Sequence, residues 1–423
     1  MFKSILEATL LILIIQLITV TSSGQSAWPS KTWASAVNLT SVMSSSGITE
    51  LSSLYWNNDL NRLYSVSNDG VFRVLQLNLT TNTFTQIGSI SNLGGPEGIT
   101  QVNNLANEFY TVDESSYQIR KYTHNATFGN SVLDKYWNLL DAPSSMSDTD
   151  NDGPEGIAFI PDSYLSSVGF VSSVTGKTYT SVKGMGGLIF IAHQNKGYIW
   201  VFDLNPLISN NFAFVGKYKT AESESCDLSF DPSTGLLYIL HNTGDNYLEV
   251  TNLKTTVSSG TYKFVALAEY QLPSTSGSDN TEGFAMTPKC ADSTNVSAWI
   301  CRDIASDEST TLKTDALRWF KPFNAPGNCL LHTDINPLQI SAISISVFPN
   351  PAHNNLHVSF SLPIENNMTA SIVDVSGRSI VRFDLEQEQQ VQNLDISGLY
   401  NGMYLLIVRK NNQTIYTFRF VKQ

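Results

Sequence analysis

Short runs of alternating apolar and polar residues fill most of the chain, and one such pattern recurs between residues 49 and 323. In each copy an acidic or small polar residue precedes an apolar strand, and a turn leads to a second strand that ends in polar residues. Alternation with a period of two is typical of β-strands, and a repeated strand unit is typical of propeller blades. The second strands of the five copies begin at Leu63, Phe109, Ile189, Leu237 and Ala298.

This repeat predicts an all-β fold in which residues 25–325 form a five-bladed β-propeller. A single blade cannot bury both faces of its sheet, whereas a closed ring of blades does so and leaves only short edges. We expect the strand-like segment 33–42 to supply the outer strand of the last blade and so close the ring. A six-bladed propeller, with the extra blade in residues 160–225, is the alternative. A β-sandwich fits such a regular repeat less well.

The two ends of the chain have different patterns. Residues 343–423, after a linker at 326–342, alternate strands with Ser-Gly and Asn-Gly turns, which predicts a small Ig-like β-sandwich. Residues 1–24 combine Lys3, an apolar run at 10–20 and small residues before Gln25, which predicts a cleaved signal peptide. A membrane anchor is the alternative, but the run is short for a bilayer. No later segment predicts a transmembrane span.

Charge and cysteine content narrow the choice of partners and cofactors. The formal net charge of -12 makes nucleic acid and anionic membranes poor partners and suits cations, calcium in particular. The four cysteines permit disulfides in an oxidising compartment, and their spacing does not resemble a zinc site. We predict the pair Cys290–Cys301, across two neighbouring strands, and expect Cys226 to be buried at the start of an inner strand.

Equivalent positions in the copies predict rings of polar side chains around the propeller channel. The first column holds Glu97, Glu155 and Glu282, each followed by glycine, and we assign Glu50 and Glu224 to the same place in the other two copies. The ends of the second strands give a column of Ser67, Asp113, His193, His241 and Arg302. The next residues give a column of Asn68, Glu114, Gln194, Asn242 and Asp303.

Crowded carboxylates repel one another and need a cation, a shared proton or hydrogen bonds. One interpretation is therefore a calcium or other divalent site at Glu97, Glu155 and Glu282, with ligand-binding residues Asp113, Glu114 and Asp303. His193 and His241 are then the candidate acid and base, and Arg302 the candidate anion holder. The structural interpretation is that each Glu bonds backbone amides of the next blade and each glycine permits close packing.

A second candidate calcium site lies at Asp148, Asp150 and Asp152. These residues and Gly153 have the D-x-D-x-D-G spacing of the start of a calcium loop, in which alternate oxygens surround the ion. The twelfth position is Phe159 rather than the usual bidentate Glu, so the match is partial. A solvated acidic turn is the alternative.

The first domain resembles the SdiA-regulated and phytase-like (esterase-like) propeller families over about residues 45–325. The features that carry the resemblance are Gly95-Pro96-Glu97-Gly98-Ile99, Asp152-Gly153-Pro154-Glu155-Gly156-Ile157, Thr281-Glu282-Gly283-Phe284 and Tyr110-Thr111-Val112-Asp113-Glu114. The two families look alike at this level, so the resemblance implies the fold more than an activity. It implies a metal-dependent hydrolase of phosphoesters or lactones as one possible function.

The C-terminal domain resembles type IX secretion sorting domains. Its marks are Val347-Phe348-Pro349-Asn350-Pro351-Ala352, Ile372-Val373-Asp374-Val375-Ser376-Gly377-Arg378 and Leu394-Asp395-Ile396-Ser397-Gly398-Leu399-Tyr400-Asn401-Gly402-Met403-Tyr404. The resemblance implies recognition by an outer-membrane exporter, a Bacteroidetes-type host, and a final location outside the cell or on its surface. An Ig-like adhesion module is the alternative.

Two functions follow from these patterns. The first is an exported propeller that binds an unidentified extracellular ligand or partner and is stabilised by calcium. The second is the metal-dependent hydrolase at the channel mouth. The chain has no G-x-S-x-G, P-loop, H-E-x-x-H or Rossmann fingerprint, so serine hydrolase, kinase and dehydrogenase functions have no support.

Overall fold

A computed structural model describes the chain from Ser26 to its last residue, apart from residues 151, 243–245, 276–279, 292–294, 331–344, 361–363, 365–367, 375–377 and 411–412. The predicted signal peptide lies outside the described residues. The chain divides into two compact units, residues 1–330 and residues 331–423. Among the described residues, no helix combines the length and apolar character that crossing a membrane requires.

The first unit is built almost entirely from antiparallel strands, as the repeat predicts. Before the first repeat come β1 (Val37–Asn38) and α1 (Thr40–Met43). We call each following set of four hydrogen-bonded strands a blade. Blade 1 contains β2 (Leu51–Asn57), β3 (Arg62–Ser67), β4 (Val71–Asn78) and β5 (Thr83–Ile90). Blade 2 contains β6 (Pro96–Thr100), β7 (Glu108–Asp113), β8 (Gln118–His124) and β9 (Ser131–Asn138).

The remaining blades carry two short helices between their strands. Blade 3 contains β10 (Pro154–Pro161), α2 (Asp162–Val168), β11 (Gly187–His193), β12 (Tyr198–Leu204) and β13 (Phe212–Lys219). Blade 4 contains β14 (Asp227–Asp231), β15 (Leu236–His241), β16 (Tyr247–Ser258) and β17 (Thr261–Gln271). A short parallel pairing of β13 with β17 joins blades 3 and 4 into one eight-stranded sheet. Blade 5 contains β18 (Thr281–Met286), β19 (Ala298–Arg302), α3 (Thr310–Lys313), β20 (Leu317–Phe320) and, as its fourth strand, β1.

The five first strands form a closed ring. Strand β2 contacts both β6 and β18, strand β10 contacts β6 and β14, and β14 also contacts β18. Blade 5 is completed by the N-terminal segment, because Val37 of β1 pairs with Trp319 of β20. The prediction that the segment 33–42 closes the ring is confirmed, although only two of its residues are in the strand. Residues 162–186, in the region of the alternative sixth blade, contain α2 and an irregular segment instead of further strands.

Aromatic side chains fill the space between neighbouring blades. At the junction of blades 5 and 1, the rings of Trp56 and Trp299 stack with centroids 4.7 Å apart, and Phe84 lies against Trp319 at 5.2 Å. Trp299 is completely buried, and Leu54 and Leu317 complete this cluster. Large aromatic rings bury more apolar area than any other residue type, so this packing stabilises the contact between the two ends of the ring.

The second unit has two antiparallel sheets. Its strands are β21 (Ile345–Phe348), β22 (Asn355–Phe360), β23 (Met368–Asp374), β24 (Ser379–Asp384), β25 (Val391–Asp395), β26 (Gly402–Lys410) and β27 (Gln413–Lys422). One sheet has the order β21-β22-β25 and the other has the order β24-β23-β26-β27. Leu356 and Val358 from the first sheet and Ile372 and Leu406 from the second share one buried core. This is a β-sandwich, as the sequence predicts.

The predicted disulfide is wrong. Cys290 is bonded to Cys329, whereas Cys226 and Cys301 are free and buried. The strand register explains the error, because Cys301 pairs with Gly283 within the sheet while Cys290 lies beyond the end of β18. The Cys301 thiol instead contacts the carbonyl of Leu51 in blade 1. The prediction that Cys226 is buried at the start of an inner strand is confirmed.

Removing this disulfide is expected to lower the stability of the first unit. The bond links residues 39 positions apart, so its loss frees a large loop in the unfolded chain. We expect the Cys290→Ser/Cys329→Ser variant to lose about 2–4 kcal/mol of unfolding free energy. Urea denaturation of the oxidised protein and of the variant measures this difference. Reductant should lower the wild-type midpoint and leave the variant unchanged; equal midpoints for wild type and variant would contradict the prediction.

Candidate functional site

Three buried glutamates lie where the first strands of blades 2, 3 and 5 depart from regular pairing. The pairing register shifts between Pro96 and Gly98, between Pro154 and Ile157, and between Thr281 and Gly283. Glu97, Glu155 and Glu282 occupy these irregular positions and are 7%, 5% and 8% exposed. A bulge re-aims the side chain of its extra residue. The charges of the three carboxyls act on one another, so the three side chains lie near one another within the ring of first strands. We call this group of carboxyls the channel mouth.

The assignment of Glu50 and Glu224 to the same column is wrong. Leu51 pairs with Ser67 just as Pro96 pairs with Asp113, so Ser52 holds the position of Glu97 in blade 1. In blade 4, Asp227 pairs with Leu240, which places Cys226 at that position. Glu50 and Glu224 therefore lie two residues earlier. The register shift at each bulge is the physical reason, because a repeat aligned by residue type does not reveal an extra residue in a strand.

The glycine after each of these glutamates allows neighbouring first strands to approach closely. A Cβ atom on Gly98 would lie 2.4 Å from the carbonyl oxygen of Glu155, and one on Gly156 would lie 2.5 Å from the Cα of Asp227. A Cβ on Gly283 would lie 3.0 Å from the Cα of Ser53. The close-packing interpretation of the glycines is confirmed. Their recurrence after glutamate is explained by the packing of the ring rather than by chemistry.

Asp227 connects three blades within the ring of first strands. It is completely buried, and its carboxylate accepts hydrogen bonds from the Ser53 hydroxyl at 3.0 Å and from the Phe284 amide at 2.8 Å. Burial raises the pKa of this carboxyl well above its usual value, although the hydrogen bonds act in the opposite direction. Asp227 therefore has a structural position, between blades 1, 4 and 5.

Burial is the main cause of the unusual electrostatics of the three glutamates. It raises the pKa of Glu97 to about 8, against the opposing effect of a hydrogen bond from Ser52 and with support from the charges of Glu114 and Asp303. The pKa values of Glu155 and Glu282 are also raised well above normal, first by burial and then by neighbouring acids. Desolvation and like charges both favour the neutral carboxyl. The raised pKa values therefore favour the protonated form of these three carboxyls near neutral pH.

Two of the predicted ligand-binding residues complete this acidic mouth. Glu114 accepts a hydrogen bond from the Gly153 amide at 2.9 Å and bonds to the carboxyl of Glu155. Asp303 accepts one from the Asn280 side chain at 3.0 Å, and a hydrogen bond from the backbone of Glu50 also favours its ionised form. The third, Asp113, is held differently, because Arg120 binds its carboxylate at 2.7 Å.

The structure places the three predicted catalytic residues in different blades, each bonded within its own blade. His193 in blade 3 accepts a hydrogen bond from the Asn195 amide, and burial lowers its pKa to about 4. Both ring nitrogens of the completely buried His241 in blade 4 are engaged, by the Glu224 carbonyl at 2.7 Å and by Glu249 at 3.1 Å. Arg302 in blade 5 is also completely buried; it lies 3.6 Å from Asp315 and over the ring of Trp33.

The acidic loop of the second calcium prediction forms a turn beside the mouth. The Asp148 carboxylate accepts a hydrogen bond from the Asp150 amide at 3.0 Å, and that of Asp152 accepts one from Asn195 at 3.2 Å. The charge of Asp152 contributes to the raised pKa values of Glu114 and Glu224. Within the described ranges, no three His, Cys, Asp or Glu side chains are arranged to hold a metal ion.

Two further polar residues at this site, Asn280 and Ser52, do not stand out in the sequence. Asn280 donates to Asp303, and Asn242, which stands in the predicted third column, donates both to Asn280 and to Glu282, the latter at 2.8 Å. Asn280 precedes the repeat unit. Ser52, which bonds to Glu97, is hidden by the register shift. Counting backwards from the second strand, rather than matching Glu-Gly, would have found Ser52.

Comparison with known proteins identifies the C-terminal unit. Residues 346–423 match the family described as the secretion system C-terminal sorting domain. The chain therefore carries a type IX sorting domain and is exported to the cell surface or the extracellular space. The match does not extend to the first unit, so the resemblance of that unit to SdiA-regulated and phytase-like propellers remains a prediction. No curated protein matches the chain.

Solved structures similar to the chain share little sequence with it. A 6-phosphogluconolactonase-like protein from Bacteroides fragilis is 11% identical, with 59% of this chain and 79% of that chain covered and a TM-score of 0.32. A periplasmic gluconolactonase from Pseudomonas aeruginosa is also 11% identical, with 59% and 80% covered and a TM-score of 0.34. A chain of a nidogen–laminin complex is 14% identical, with 64% and 83% covered and a TM-score of 0.33.

Proposed function

We propose that this exported propeller is a binding protein that takes a positively charged group into its acidic channel mouth. The observation that carries the proposal is the set of mutually repelling carboxyls of Glu97, Glu155 and Glu282. The charged groups that act most strongly on them are all acids, among them Glu114 and Asp303.

A cation in the mouth would replace the protons that these carboxyls hold. Burial and mutual repulsion make the ionised forms costly, and an opposite charge within a few ångströms removes much of that cost. Binding is then coupled to proton release, and it stabilises the folded state because the unfolded chain has no such site. A purely structural role for the glutamates predicts no such coupling.

Calcium and an organic cation make different demands on this site. Calcium takes six to eight oxygen ligands at short distances, and carboxylate and amide oxygens are suitable donors. Glu97, Glu155 and Glu282 would have to move closer together to hold it, and so would Asp148, Asp150 and Asp152, because no ready group of three is present in the described residues. An ammonium group needs only acceptors at hydrogen-bonding distance. If the cation is a metal ion, we propose that it is calcium, bound by these six residues and stabilising the fold. The alternative cation is an ammonium group of an organic ligand.

The hydrolase alternative receives less support from the geometry. It requires His193, His241 or Arg302 to reach a substrate at the mouth, but their side chains are buried and bonded within their own blades. A general base must lie within hydrogen-bonding reach of the proton that it removes. Binding is therefore the function that we propose for the mouth.

Titration calorimetry of the mature chain tests this proposal. We expect calcium or spermidine to bind at pH 7.5 with proton release, which appears as a heat that depends on the ionisation enthalpy of the buffer. Glu155→Gln should weaken the affinity at least tenfold, because it removes one carboxylate from the mouth. Binding of calcium would identify a metal site, and binding of spermidine alone would identify a site for an ammonium group.

Glu308→Gln is the matched control, because it makes the same substitution at an exposed position outside the mouth. Its affinity should equal that of the wild type. The proposal fails if neither cation binds, or if Glu155→Gln and Glu308→Gln behave alike. Chelator-sensitive turnover of phosphoesters or lactones that is lost in a folded His241→Gln variant would establish the hydrolase instead.

A further inference from the structure

A cleft separate from the acidic mouth lies between blades 1 and 2. Its volume is about 710 Å³, which is within the range of small-molecule sites. One wall is the end of β5 and the segment that follows it, from Ser89 to Gly94. The other wall contains residues of β8 and the start of β9. The cleft is therefore lined by strands of both blades, by the connection between the blades, and by Gly129 and Asn130 of the loop between β8 and β9.

Uncharged polar side chains dominate the lining of this cleft. Five of these side chains are exposed or half-buried, so a ligand in the cleft can reach them: Ser89, Ser91, Asn92, Asn130 and Ser131. A serine hydroxyl both donates and accepts, and an asparagine amide offers a donor and an acceptor side by side. This combination matches a ligand whose own groups are hydroxyls, each of which also donates and accepts.

The single charged residue in the lining is already neutralised. Arg120 binds the Asp113 carboxylate at 2.7 Å, and its remaining donors reach the side chains of Gln118 and Ser116 and the carbonyl of Leu93. A guanidinium engaged in this way has little capacity left for an anionic ligand. No carboxylate is among the lining residues, so the cleft, unlike the mouth, does not select a cation.

Apolar surface lies next to the polar groups. Leu133, on the wall formed by β9, is 47% exposed. It pairs across the strands with Tyr122, which is buried beneath the cleft and whose hydroxyl donates to the Leu93 carbonyl at 2.8 Å. A sugar ring presents hydroxyls at its rim and C–H groups on its faces, so it matches a cleft with both kinds of surface. We propose that this cleft binds a neutral carbohydrate, independently of the cation that the mouth takes.

Saturation-transfer NMR of the full mature chain against neutral and uronic-acid oligosaccharides tests the proposal, followed by calorimetry of each binder. We expect at least one neutral glucan, mannan or galactan oligosaccharide to bind and the uronic acids not to bind. The Asn92→Gly/Asn130→Ala variant should bind at least tenfold more weakly. Glycine at position 92 tolerates the φ of 68° found there, so this substitution leaves the backbone unstrained.

Asn82→Gly is the control, since Asn82 also has a positive φ and lies on blade 1 but outside the cleft. It should leave carbohydrate binding unchanged, and neither variant should alter cation binding by the mouth. The proposal is overturned if no neutral oligosaccharide binds, if only the anionic ones bind, or if the double variant binds as the wild type does. Loss of cation binding alone would count against the proposed function and leave the cleft intact.

Discussion

Replacing Gly156 by alanine is expected to destabilise the propeller by about 3 kcal/mol, a large effect for the addition of one methyl group. The new Cβ would lie 2.5 Å from the Cα of Asp227 and 2.9 Å from the Cys226 carbonyl oxygen. These are backbone atoms, so no rotation of a side chain relieves the contact. Asp227 is itself held by Ser53 and Phe284, so a shift of its strand disturbs blades 1 and 5 as well.

The control for this substitution is Gly129→Ala in the same unit. A Cβ at Gly129 would meet its nearest neighbour, the Asn125 side chain, at 3.6 Å, which is ordinary contact. We expect this variant to unfold within about 0.5 kcal/mol of the wild type. Chemical denaturation of both variants measures the difference. Equal midpoints for Gly156→Ala and Gly129→Ala would mean that the first strands have more room than the structure shows.

The repeat in the sequence predicts much of the fold because strand alternation follows locally from the positions of the apolar residues, and repeated blades bury their faces only when the ring closes. The five second strands, the pairing of the 33–42 segment with β20 and the C-terminal sandwich all follow from that pattern. The disulfide does not follow from it. Which of Cys290, Cys301 and Cys329 meet depends on the strand register and on where the chain runs after β20.

The candidate site is predictable only in part, for a related reason. Glu97, Glu155 and Glu282 are recognisable because each precedes a glycine that the ring requires. The side chains of His193 and His241 cannot be placed from the sequence, because a residue at the end of a strand points to the channel or into the blade according to the local twist and bulge. Here both histidines find partners within their own blades.

Above pH 6.5, the free energy of unfolding of the cation-free protein is expected to fall as the pH rises. Glu97 has a pKa of about 8 in the folded protein and an ordinary value of 4.5 when exposed. Between these two values the folded state binds more protons than the unfolded state, so stability decreases with increasing pH. The slope is about 1.4 kcal/mol per pH unit for each extra proton, or a loss of about 2 kcal/mol from Glu97 between pH 6.5 and 8. Glu155 and Glu282 act in the same direction.

The pH window matters because His193 has the opposite effect at lower pH. Its pKa is lowered from 6.5 to about 4, so the folded state binds fewer protons there, and this contribution makes stability rise with pH, most steeply between the two values. The unfolded imidazole is half protonated at pH 6.5, so this contribution, like that of His124, whose pKa burial also lowers, fades between pH 6.5 and about 7.5. Above that range the raised pKa values of the carboxyls determine the trend. Chemical denaturation at pH 6.5, 7.25 and 8 in the presence of chelator measures it. Below 6.5 the two effects partly cancel.

The Glu97→Gln variant shows how much of this pH dependence comes from Glu97 rather than from other titrating groups. Glutamine resembles the protonated carboxyl in shape and does not titrate. The slope of unfolding free energy against pH should therefore be smaller in the variant by up to about 1.4 kcal/mol per pH unit, the contribution of one proton. Glu308→Gln, at an exposed position, should retain the wild-type slope. A saturating cation should flatten the wild-type curve, because it compensates the carboxylates as they ionise. If the wild-type curve is already flat between pH 6.5 and 8, the glutamates are ionised in the folded protein, and the mouth has no proton for a cation to displace.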